Sequence, residues 1–103
     1  MHDAAFLATM LDSLKDRFRF TDTSHTIRYI NRAAAAHYKE GTTLLGRSLF
    51  DYHNTESRRL IVEILAAFQA GQEEERLITN NDKHRNFMRA VRDSDGRLLG
   101  YYE

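Results

Sequence analysis

The histidine with the widest range of chemistry open to it is His53, which follows Phe50 and Tyr52 and stands just before a long amphipathic pattern. An imidazole at such a corner can point into a cavity, where it can ligate haem iron or donate a hydrogen bond to a ligand carboxylate. The plainer alternative is a ring packed on the core and bonded to a backbone carbonyl near a helix start. His37, beside Tyr38 in an alanine-rich stretch, can meet His53 across such a cavity if its ring faces inward. His25 and His84 fall in a turn and near a strand start, where solvent is the expected partner. No two histidines lie four residues apart, and no His-Glu-x-x-His pattern occurs, so no metal site built from local ligands is expected.

The arginines are better ligand candidates than any acid. Among Arg28, Arg47, Arg89 and Arg92, the last two stand three residues apart in one strand pattern. A regular pleat sends them to opposite faces, and an inward arginine needs a carboxylate from the protein or from a ligand. The alternative is that both lie near strand ends and reach water. Ser24, Ser48, Ser57 and Ser94 sit in no nucleophile-elbow pattern, and no separated pair of acids can be placed across a pocket. The expectation is therefore a protein without catalytic residues, not an enzyme. In HRNFMR, basic residues interleave with an aromatic, a pattern that can support stacking of bases. Three glutamates on the neighbouring strand and a balanced total charge argue against nucleic acid.

The balance is complete: 15 lysines and arginines face 15 aspartates and glutamates in 103 residues. That length suits one domain with one modest core. Cysteine is absent, which excludes disulfides, thiolate chemistry and cysteine-held metal centres. No apolar run approaches the roughly 20 residues of a spanning helix and no signal-peptide pattern opens the chain, so a cytoplasmic address without membrane contact is expected. Proline is absent too, which leaves glycine and Asn, Asp and Ser to punctuate the fold.

The elements that must position these side chains can be read in order. Asp3 to about Lys15 predicts a helix, with Asp3 as cap and Leu7, Met10, Leu11 and Leu14 as an apolar stripe. So short a helix must dock, either on its own domain or on a partner. Phe18 and Phe20, then Ile27 and Tyr29, fall at strand period around the turn TDTSH, which predicts a hairpin. Asn31 is the expected cap of RAAAAHY. Gly41 ends that helix, and two short turns lead to the main helix, for which Asn54 or Thr55 is the cap and Gly71 the stop. Its apolar face is Leu60, Ile61, Ile64, Leu65 and Phe68. Three further strands follow: one through Leu77 and Ile78, one over Asn86 to Arg92, and one over Leu98 to Tyr102, with turns at Asn80–Asp82 and Asp93–Gly96. The expected class is α+β, an antiparallel sheet with helices on one face.

In FTDTSHTIRYIN at 20–31, LLGRSLFDYH at 44–53, the helix ending in AG at 70–71, and MRAVRDSDGRLLGYYE at 88–103, the chain resembles a PAS domain. The segment GRSLFDYHNTESRR is similar to a bacterial subset with a histidine just before the long connecting helix. The resemblance implies a five-stranded sheet in the order 2-1-5-4-3 and a cavity between sheet and helices. It divides the chain into a flanking, dimerising helix at 1–16 and a PAS domain at 17–103. It also implies a sensory or regulatory module that works as a homodimer, with an effector or partner protein outside this chain. A purely structural dimerisation module with a filled core is the alternative. Flavin photochemistry through a cysteinyl bond is excluded, since the chain has no cysteine. Haem is disfavoured, because haem-binding members hold iron through a histidine on the long helix, and residues 56–70 contain none. A small organic ligand is expected in a small, mostly apolar cavity, with His53, His37, Tyr52, Phe50, Arg89 and Arg92 as its candidate contacts.

Overall fold

The computed structural model describes residues 3–38, 41–80 and 85–103. The expected contacts of His84 and the turn at 81–82 lie outside those residues. The elements are α1 (Ala4–Asp12), β1 (Arg19–Asp22), β2 (Ile27–Ile30), α2 (Arg32–His37), single 3₁₀ turns at Gly41–Leu44 and Leu49–Tyr52, α3 (Thr55–Gln69), β3 (Glu75–Asn80), β4 (Arg85–Arg92) and β5 (Leu98–Tyr102). The strands form one sheet in the order β2-β1-β5-β4-β3, and every described pairing is antiparallel. No helix among the described residues is long and apolar enough to cross a membrane.

The choice between Asn54 and Thr55 falls to Asn54, whose side chain accepts from the Ser57 N–H at 2.8 Å. The stop is also as expected. Gly71 takes φ 72°, and the Gln72 N–H closes back onto the Ala67 carbonyl. Between these ends, Ile61, Ile64, Leu65 and Phe68 are buried, each contributing about 1.5–3 kcal/mol by leaving water. Leu60 departs from that set. It is two-fifths exposed, because it flanks the stripe where α3 stands off from the sheet. Against α3 lie Ile27, Met88 and Tyr101, all nearly inaccessible to solvent.

The phase of β1 is decisive for the site. Arg19 and Thr21 are buried toward the core, whereas Phe20 is only half-buried. The register pairs Phe20 with Tyr29 on one side and Tyr102 on the other, so these three share the face away from α3. Phe18 joins them, its ring centroid 4.8 Å from that of Tyr102. The N-terminal helix is fastened to the same corner. The Tyr29 hydroxyl reaches the Ala8 carbonyl at 3.2 Å, and Asp12 accepts from the Arg32 N–H at 2.9 Å. Yet no residue of α1 is buried, and Leu7, Met10 and Leu14 remain about half exposed.

The loop before the second 3₁₀ turn lies along β2. Ile27 donates to the Arg47 carbonyl at 2.9 Å and accepts from the Gly46 N–H at 2.8 Å, while Leu49 N–H reaches the His25 carbonyl at 2.7 Å.

Candidate functional site

Where α3 leaves the sheet, a cavity of about 840 Å³ opens. One wall is the first half of α3, with Ser57, Leu60, Ile61 and Ile64. Arg19 and Met88 face it from the strands, His37 and Tyr38 close it from the end of α2, and Tyr52 and His53 from the turn before α3. Local chemistry builds that turn. Ser48 Oγ accepts from the Phe50 N–H at 3.2 Å to start it, and Asn54 begins the next helix, which leaves His53 at the corner between two caps. The His53 carbonyl is taken by Arg58 Nε at 2.9 Å.

The His53 ring is half-buried, and that burial lowers its pKa below the ordinary imidazole value, with the charges of Arg19 and Arg58 adding to the effect. It therefore stands at neutral pH as an uncharged ring with one donor and one acceptor nitrogen. Tyr52 and His37 border the same space, the latter edge-on to the Tyr38 ring at 5.1 Å.

The other sequence candidates divide. Arg89 borders the cavity while half exposed, paired with Glu75 at 3.5 Å. Arg92 lies elsewhere. Its guanidinium binds Glu74 at 2.6 and 2.9 Å and donates to the Phe68 carbonyl, so it satisfies the end of α3. Phe50 also turns away, stacking on His25 at 4.4 Å between centroids. His25 itself corrects the expectation of a solvated turn residue. It takes φ 62°, and its Nδ1 lies 2.8 Å from the Tyr101 hydroxyl.

The sequence leads one to expect a small, mostly apolar cavity. Of the large side chains that could fill it, Phe50 stacks on His25 and Phe68 lies in the core, whereas Tyr52, Phe87 and Met88 border the space without closing it. Its walls combine Arg19, His37, His53 and Glu75 with Leu60, Ile61, Ile64 and Met88.

The residue that sequence reasoning passed over is Arg19. It is 7% exposed, ion-paired with Glu103, and bonded through Nη1 to the Tyr38 hydroxyl at 3.0 Å, with its guanidinium carbon 5.6 Å from the Tyr38 ring centroid. Burial pulls its pKa below the usual arginine value, and the Tyr38 and Tyr101 oxygens oppose that fall. The signal was present in RFRFT, where arginine and threonine alternate with the phenylalanines. Among the described residues, no cluster of three His, Asp or Glu side chains converges as a metal site.

The family model that matches this chain is described as a PAS domain and covers residues 7–103. No curated protein matches the chain. Among solved structures, a C-terminal domain from Streptococcus mutans superimposes with a TM-score of 0.77 at 17% identity, over 98% of this chain and 81% of the other. A sensory box sensor histidine kinase from Vibrio cholerae gives 0.63 at 14% identity, over 95% and 85%. The PAS domain of a protein from Colwellia psychrerythraea gives 0.65 at 15%, over 93% and 88%. At such identities these likenesses speak for the fold.

Proposed function

The chain belongs to the PAS domain family, and from that premise we propose that it is a non-catalytic sensory module holding a small organic molecule between α3 and the sheet. The observation that carries this reading is the open cavity of about 840 Å³, within the size range of drug-sized ligand sites. Its apolar wall of Ile61, Ile64 and Met88 suits the body of a ligand, and His53, His37 and Tyr52 suit its polar groups. An open space supports this reading over a filled-core dimerisation module.

The output in this reading is association. Residues 1–16 serve as the flanking segment and 17–103 as the sensory domain, and two copies meet through Leu7, Met10 and Leu14, with Leu11 beneath them. Leu77 and Leu99 are also exposed on the sheet. An effector or partner protein then reads the dimer, in the cytoplasm on the sequence grounds given above.

Native mass spectrometry of the purified protein tests the ligand half. A co-purifying small molecule is expected, released on denaturation and reduced in His53→Ala. A bare chain that also takes up no added organic acid or alcohol would sink the sensor reading.

A further inference from the structure

The cavity wall contains one buried charge that its own protein satisfies only in part. Arg19 has five N–H donors in a planar fork. Nη1 donates to Tyr38, Nη2 is ion-paired with Glu103, and Nε–H is buried without a hydrogen-bond partner among the described residues. A buried donor left in that state is costly, and the neighbouring Nε and Nη2 form the edge that a carboxylate grips with both oxygens. Glu103 already shows that a carboxylate reaches this guanidinium, but it is held beside Arg19 by backbone hydrogen bonds just past the end of β5 and leaves Nε–H unpartnered. Its side chain is 21% exposed against 8% for Arg19, so it lies on the more open side of the pair.

We propose that the ligand of this cavity is an organic carboxylate with an apolar body, whose two oxygens take the Nε–Nη2 edge of Arg19 in exchange for Glu103. The inference rests on the ligand-sensing reading above and names the class of molecule. The apolar body lies against Ile61, Ile64 and Met88, which line the same space. His53, uncharged at neutral pH, adds a hydrogen bond without adding a second charge. Binding also has a structural output. It releases the Glu103 side chain from β1 and so removes one of the ties between β1 and the end of β5.

Hexanoate and hexanol share an apolar body and differ in the charged head, so the pair tests the idea directly. Binding is followed at neutral pH through the methyl resonances of Ile61, Ile64 and Met88 in the full chain. Hexanoate is expected to bind about tenfold more tightly than hexanol, the least that a charge-assisted bond should supply. Glu103→Gln keeps an acceptor for the buried guanidinium while removing the competing charge, and should tighten hexanoate by about a further tenfold with hexanol unchanged. Arg19→Gln should abolish the preference. Since that buried change can unfold the chain, Glu103→Gln carries the decision. Equal binding of both probes overturns the carboxylate assignment and leaves the sensor reading standing. A preference for hexanoate that Glu103→Gln does not change also overturns it, because the head group is then held elsewhere. Methyl resonances that neither probe moves, in wild type or variant, overturn the sensor reading and this inference together.

Discussion

Asn31 and Phe18 are joined in both directions: the Asn31 N–H donates to the Phe18 carbonyl, and the Phe18 N–H donates to Asn31 Oδ1, each at 2.9 Å. The same oxygen caps α2 by accepting from Ala34 N–H at 3.0 Å. The amide nitrogen donates to the Leu11 and Asp16 carbonyls, both at 3.0 Å. One fully buried side chain thus uses two donors and two acceptors to fix α1, the start of β1 and the start of α2.

Asn31→Ala should cost at least about 2 kcal/mol, since it removes a cap and strands several backbone groups at once. Asn31→Asp keeps the two acceptors and loses the two donors. It should hold α2 while freeing α1, seen as faster amide exchange confined to residues 4–12. Equal loss of protection in α2 would show that the donors, and not the oxygen, hold this corner.

Gly100 lies where β1 and β5 approach closely. A Cβ built there would overlap the Thr21 carbonyl and crowd the Phe20 ring. Gly100→Ala should therefore destabilise the chain by about 1–3 kcal/mol in denaturant unfolding, through separation of β1 from β5. Gly96→Ala is the control, because its Cβ position meets nothing although its φ of 83° still strains an alanine. A smaller effect at Gly100 than at Gly96 would refute the close-approach argument.

His25 and His53 give stability a pH dependence of known sign. Burial is the main cause of the lowered pKa at both, opposed at His25 by Asp22 and reinforced at His53 by Arg19 and Arg58. A group with a lowered folded pKa is protonated first in the unfolded chain. Its contribution is therefore full above the ordinary value of about 6.5 and is lost as pH falls through the folded value. Denaturation midpoints should decline as pH falls below about 6.5. His25→Asn, which tolerates the left-handed backbone, and His53→Asn should each flatten that decline. An undiminished decline in the double variant would assign it to other groups.

Association through α1 should appear in sedimentation as a dimer at micromolar concentration. Leu7→Asp with Met10→Asp changes only half-exposed positions and should give a folded monomer whose melting no longer depends on concentration. A monomeric wild type would remove the dimer and leave α1 as a cover for its own domain.

Much of this could be read from residue order. The caps at Asp3, Asn31 and Asn54, the stop at Gly71 and the three closing strands follow from local rules, because each is decided within a few residues of itself. The site was less legible. Phe18 and Phe20 mark one face of β1 at the correct period, yet period does not tell which face α3 covers, and Arg19 took the inner one. The contact of His25 with Tyr101 joins residues 76 apart in sequence, beyond the reach of any local pattern. The shape of the cavity was not legible, because the volumes of Phe50 and Phe68 can be read in the sequence and their directions cannot.

The bonds from residues 46–49 to β2 mean that the two rims of the sheet are unequal. An outer strand normally offers a row of backbone donors and acceptors to any extended chain that drifts past. At β2 the molecule's own loop already occupies part of that row. Strand-on-strand growth is thereby directed to β3, whose approach is set with ion pairs: Glu73 to Arg76, Glu74 to Arg92 and Glu75 to Arg89. An incoming strand there has to settle beside fixed charges. The acidic run at 73–75 thus sets paired charge where such a strand would begin.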